Sequence, residues 1–142
     1  MGTTKLFFLE ITPYVRRAQS YLDANGISYV EHYLAAKSLS RDQLIEILQY
    51  TVNGVDEIIA IQSKAYKELK SQGVDFNEYT ISELVDLFKQ YPTVLKSPII
   101  VGKNTTIAGY KEEEMSVLKT RKRKMEAYRQ LLHEFHAQQA AV

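Results

Sequence analysis

An α/β domain on a mixed four-stranded sheet is predicted by three features: a strand pattern that runs into a capped helix and a second strand, a central helical block, and a late strand pair joined by a tight turn. The first strand is expected over 5–11, where Leu6, Phe7, Phe8 and Leu9 follow one another. Thr12 supplies a capping hydroxyl, and Pro13 suits the first helical position because its missing N–H would be unpaired there in any case. Val15, Ala18 and Leu22 then share one face at i, i+3 and i+7, and Gly26 tolerates the left-handed conformation that ends helices. Over 27–34, Tyr29, Glu31 and Tyr33 alternate with Val30, His32 and Leu34, a β-branched and aromatic pattern that predicts a second strand. Two strands joined through a helix should lie parallel with a right-handed crossover.

The next sixty or so residues carry helical spacing. Ser40 with Gln43, and Thr80 with Glu83, form capping boxes ahead of Leu44, Ile45, Ile47 and Leu48 in the first case and Leu84, Val85 and Phe88 in the second. Shorter helices are expected over 55–61 and 63–70, set off from the first by Asn53-Gly54, a pair that accepts positive φ. Pro92 closes the block. Pro98 opens a buried strand through Ile99, Ile100 and Val101, and Gly102-Lys103-Asn104 turns it back antiparallel into 105–110. Glu112, Glu113 and Glu114 favour the start of a further helix through its dipole, and Met125, Leu131, Leu132 and Phe135 continue helical spacing toward the tail.

Composition narrows the function. The 142 residues, 45% hydrophobic and 25% charged, suit one domain with its own core. Lys and Arg number 18 against 17 Asp and Glu, so no whole-surface field draws the chain to nucleic acid or membrane. There is no cysteine, which removes disulfides, thiolate nucleophiles and thiolate metal sites. The apolar stretch near the start is broken by Glu10, and no run reaches the roughly 20 apolar residues of a spanning helix. Together these predict a cytoplasmic location with no membrane contact.

The order of elements resembles the Spx and arsenate reductase (ArsC-like) family, closest to its Spx branch. The likeness rests on Arg16-Arg17-Ala18 to Leu22, Tyr29-Val30-Glu31, Leu39-Ser40, Gly54-x-Asp56-Glu57-Ile58-Ile59, Ser63-Lys64, Pro98-Ile99-Ile100 and Gly109-Tyr110. It implies a single thioredoxin-like domain over 1–142, with a core from 1–34 and 93–142 and a helical insertion over 35–92. Spx proteins bind the C-terminal domain of the RNA polymerase α subunit and redirect transcription under thiol stress; arsenate reductases use a cysteine at the end of the first strand. The family's Cys-x-x-Cys falls on Thr12-Pro13-Tyr14-Val15, so Thr12 and Val15 stand where both sulfurs would be. A hydroxyl needs a strong adjacent base to attack, and none is evident beside Thr12. The arginines that hold an oxyanion in the reductases correspond to Ser97, preceded by Lys96, and to Gln62, none of which offers a bidentate fork. The resemblance therefore implies a cysteine-free Spx-type regulator with no catalytic residue, no metal and no cofactor. The alternative is a degenerate reductase-like protein that binds a small anion or has an unassigned enzymatic role. A decoy competing for the same partner remains open beside the first reading.

Within that resemblance Gly54, Asp56 and Glu57 are the partner-binding candidates, since the matching glycine of Spx lies at the α-subunit contact. A left-handed turn is the structural reading of Gly54, and the two are compatible. The run Lys119, Arg121, Lys122, Arg123, Lys124 places five basic residues in six positions, read either as a solvated helix surface or as contacts to polymerase acids or promoter phosphates. Promoter DNA enters only as part of the polymerase complex. His133 and His136, three apart, lack a third ligand. Tyr14 and Tyr21 read as packing or rim residues. The ending Ala137 to Val142 is either a frayed helix end or a small-apolar tag for the ClpXP protease, which degrades Spx proteins through their C-terminus.

Overall fold

Strand β1 (Thr4–Phe8) runs through the middle of the sheet because Leu6, Phe7 and Phe8 bury apolar side chains on both of its faces. The computed structural model describes residues 3–118 and 129–135. The sheet has the order β2-β1-β3-β4, with β2 at Tyr29–Tyr33, β3 at Ile99–Gly102 and β4 at Thr105–Ala108. β1 is parallel to β2, with Leu6 opposite Glu31, and antiparallel to β3, with Leu6 opposite Ile100; β3 and β4 form the antiparallel hairpin. Asn104 supplies the positive φ of that turn.

Helix α1 (Pro13–Ala24) makes the crossover, buries Val15, Ala18 and Leu22, and gives way to Gly26 at φ +65°. Together with the buried Met115 and Leu118 it covers one face of the sheet against Leu6, Phe8, Ile100 and Ile107. The opposite face, led by Phe7, Ile99 and Val101, is covered by α2 (Arg41–Gln49), α3 (Lys64–Ser71) and α4 (Ile81–Gln90). Both predicted capping boxes are present, Ser40 with Gln43 and Thr80 with Glu83. The fold is thioredoxin-like, with the helices between β2 and β3 forming a layer of their own.

Several boundaries differ from expectation. β1 ends at Phe8 rather than Ile11, because the Leu9 N–H leaves the ladder and donates to the Ser97 hydroxyl at 3.1 Å. β2 begins at Tyr29 because the Ile27 N–H is spent on the Leu22 carbonyl, closing the end of α1 at 2.9 Å. The helix expected over 55–61 is a short 3₁₀ turn, Gly54–Ile58, after which Ile59 bridges to Leu95. A second 3₁₀ turn, Phe76–Glu78, was not anticipated. The glutamates at 112–114 do open a helix, but it is 3₁₀ throughout, Glu112–Leu118. Residues 129–135 are helical, with Leu131, Leu132 and Phe135 all more than half exposed.

Candidate functional site

Three chain segments meet at the C-terminal end of β1. The loop leading to α1 is fastened to the segment before β3 by the Leu9–Ser97 hydrogen bond. That segment is fastened in turn to the 54–60 turn, where Ala60 N–H donates to Val94 O at 2.7 Å and Lys96 N–H to Ile58 O at 2.8 Å. These hydrogen bonds join the loop after β1, the 94–97 segment and the 54–60 turn into one connected framework.

In that framework Thr12 is occupied. Its hydroxyl accepts from the Val15 N–H at 3.2 Å, closing the open N-terminus of α1, with Pro13 as the first helical residue. Val15, which the resemblance matches to a second cysteine, is fully buried against the sheet. No histidine or carboxylate is hydrogen-bonded to Thr12 among the described residues. Pro98 is buried behind a cis peptide bond from Ser97, and its carbonyl accepts from Gly109 N–H at 2.7 Å. Ser97 has a role that sequence reasoning missed, because only the fold brings it to a residue 88 positions away. Gln62 is exposed and Lys96 half-buried.

The Gly54 turn is the more open part. Gly54 sits at φ +67°, and a Cβ built on it would meet nothing within 4 Å, so any added side chain would point outward. Two residues earlier Val52 is 90% exposed. Asp56 does not stand free: both carboxylate oxygens accept from Asn77 Nδ2, at 3.2 and 3.1 Å, tying the turn to the 76–78 turn. Glu57 is half-buried. A cavity of about 250 Å³ opens between Asp56, Asn77, Tyr66 and Lys70.

The basic run Lys119, Arg121, Lys122, Arg123, Lys124 lies outside the described residues, as do His136 and the tail from Ala137 to Val142. His133 is exposed, and no group of three metal-binding side chains exists among the described residues. Tyr14 is a rim residue, 55% exposed, with the Arg17 guanidinium 5.6 Å from its ring centroid. Tyr21 packs against the α1-side core. No helix among the described residues is long and apolar enough to cross a membrane.

His32, on the edge strand, was not singled out in the sequence. Its ring stacks on Phe7 at 4.7 Å, Nδ1 faces the Gln43 amide at 3.4 Å, and Nε2 is buried with no partner among the described residues. Burial pushes its pKa below the ordinary histidine value; Lys5 and Lys37 add to this and Glu46 opposes it. Lys5 and Glu46 are themselves paired at 2.6 Å.

A mixed sheet with a capped helix at the end of its first strand, a buried proline opening the third and a helical layer between defines an ArsC-type thioredoxin-like protein. Residues 16–118 match the ArsC family model, and the chain belongs to that family. Among curated relatives it is 33% identical over 115 residues to the global transcriptional regulator Spx of Streptococcus mutans, covering 81% of this chain and 82% of that protein. It is also 35% identical over 100 residues to the protein of the same name from Streptococcus pneumoniae, covering 70% and 73%. Solved structures of like fold include an ArsC family related protein from Bacteroides fragilis, with TM-score 0.66, 21% identity, and 83% and 98% of the two chains covered. The arsenate reductase of Vibrio cholerae superposes with TM-score 0.63 at 18% identity, covering 82% and 99%. At these identities the structural likenesses speak to the fold alone.

Proposed function

We propose that this chain is a Spx-type transcriptional regulator without a thiol switch, docking on the C-terminal domain of the RNA polymerase α subunit through the Gly54 turn. The observation that carries the reading is the turn itself: a left-handed glycine with open space above it, beside a valine that is 90% exposed. A glycine there lets a partner's surface close onto the backbone, and an exposed valine gives that partner an apolar anchor. The Spx relatives support the regulatory class. Glu57 belongs to the docking surface, whereas Asp56 shapes it through Asn77.

With no cysteine in the sequence, thiol-based reduction is not the activity. The protein acts in the cytoplasm, meets promoter DNA only within the polymerase complex, and is controlled by its amount rather than by a disulfide.

Calorimetric titration of the isolated α-subunit domain tests this. Gly54→Arg would block close approach, but an L-residue at this φ costs about 1–2 kcal/mol of its own. Val52→Asp is the cleaner partner variant, because the side chain already stands in solvent. The expected result is saturable binding by the wild type, weakened about tenfold or more by each variant while circular dichroism is unchanged. Folded wild-type protein that does not bind would remove the reading.

A further inference from the structure

A groove of about 520 Å³ runs along the solvent side of α1, lined by Arg16, Arg17, Ser20, Tyr21, Tyr110 and Glu112. Its volume is in the range of roughly 300–1,000 Å³ typical of small-molecule sites. It lies on the α1 side of the sheet, whereas the Gly54 turn belongs to the helical layer on the other side, so a ligand here leaves that turn free.

The lining divides by chemistry. Arg16 with Ser20, and Arg17 with Tyr21, are i, i+4 pairs and so neighbours on the helix surface. Neither arginine forms an ion pair among the described residues. Arg17 is instead steadied over the Tyr14 ring, which orients its guanidinium without neutralising it. Tyr21 and Tyr110 are half-buried against Leu22, Met115 and their neighbours, so their rings form fixed walls rather than mobile surface groups. Burial, with Tyr110 and Glu112 close by, raises the Tyr21 pKa and keeps the phenol protonated as a donor. Glu112 is the one acid of the lining, and it acts on Tyr21.

Two guanidinium forks with no ion pair among the described residues suit a phosphate, which they can hold with paired, charge-assisted hydrogen bonds. The tyrosine walls suit a planar ring, since bases stack on aromatic side chains regardless of sequence. Glu112, close enough to Tyr21 to act on its phenol, offers a carboxylate acceptor to an exocyclic amine or a sugar hydroxyl. We propose that this groove binds a nucleotide unit, with the phosphate on Arg16 and Arg17 and the base against Tyr21 and Tyr110. The unit comes either from a free mononucleotide or from a single strand of nucleic acid.

The test titrates the ¹⁵N-labelled full chain with adenosine monophosphate, inorganic phosphate, adenosine and a five-nucleotide deoxyadenylate, following amide shifts. Expected are saturable shifts at Arg16, Arg17, Tyr21 and Tyr110 with the monophosphate, and affinities about tenfold lower for phosphate or adenosine alone. The double variant Arg16→Gln/Arg17→Gln, both positions being exposed, should fold normally and lose about tenfold in monophosphate affinity. Tyr110→Leu, which keeps an apolar wall, should weaken the monophosphate and leave phosphate unchanged. A strand bound about tenfold more tightly than the monophosphate assigns the site to nucleic acid, and equal affinities assign it to the free nucleotide. No saturable shift up to about 10 mM monophosphate, undiminished binding by the folded double variant, or phosphate binding as tightly as the nucleotide would each overturn the proposal.

Discussion

The 3₁₀ helix at 112–118 is held to the sheet by few anchors, and Met115→Ala measures that hold. Such helices rarely extend beyond 3–4 residues, because their hydrogen bonds are poorly aligned, so one of seven residues depends on packing for its stability. Met115 is fully buried and Leu118 nearly so, whereas Val117 between them is 49% exposed. Leu118 lies so close over the sheet that a Cβ on Gly102 would come within 2.6 Å of its Cδ2, which leaves the contact no slack. Truncating Met115 removes about three buried side-chain heavy atoms and opens a space between rigid neighbours, so the loss should be about 2–4 kcal/mol. Against a total stability of about 5–15 kcal/mol this is a large fraction. With a urea slope of about 1.5–2 kcal/mol/M the midpoint should fall by about 1–2.7 M. Val117→Ala, in the same helix, should stay within about 0.5 kcal/mol. Urea melts followed by circular dichroism, with amide exchange over 112–118, separate the two. Equal effects from both variants, or a loss below 1 kcal/mol for Met115→Ala, would refute the view that packing rather than local propensity makes this helix.

Two further outcomes follow from single side chains. The depressed pKa of His32 means that, as pH falls below its ordinary value near 6.5, the unfolded chain takes up a proton that the folded chain refuses. Stability conferred by neutral His32 is complete above that value and is lost as pH falls toward the folded pKa, by less than about 1.4 kcal/mol per pH unit. His32→Phe, which keeps the stacking on Phe7, should flatten the dependence between pH 7 and 5.5 in urea melts, and an unchanged slope would show that another group carries it. Ser97→Ala should cost about 1 kcal/mol by leaving the Leu9 N–H without its acceptor, and should speed exchange of that amide in particular. Unaltered exchange at Leu9 would show that the hydrogen bond contributes nothing in solution.

What could be read from the sequence was what depends on neighbours along the chain. The capping boxes at Ser40 and Thr80, the Thr12 cap and the strand–helix–strand unit each rest on residues a few positions apart, and all are present. The short 3₁₀ turns were misread or missed because a few residues of i→i+3 bonding carry no apolar period. The early end of β1 depends on Ser97, 88 positions away, and the engagement of Asp56 depends on Asn77, 21 away. No local pattern encodes either. The same is true of His32, where alternation placed it in a strand but could not show that Phe7 lies beneath it.

The residues that the resemblance matches to thiol and anion chemistry, Thr12, Val15 and Ser97, here act as fasteners. Thr12 spends its hydroxyl on the helix end, Val15 fills the core beneath it, and Ser97 closes the gap between the first loop and the third strand. Each of these interactions is insensitive to oxidation, and none titrates near neutrality. A thiol pair at this end of the helix can exist in two covalent states and thereby alter the geometry of neighbouring loops. A hydroxyl cap and a buried valine have one state. The hydrogen bonds linking the 9–12 loop, the 94–97 segment and the Gly54 turn use backbone and hydroxyl groups, which thiol oxidants leave unchanged. If partner docking occurs at that turn, its extent is set by concentration and affinity alone, which places regulation in synthesis and breakdown of the chain or in competition for its partner.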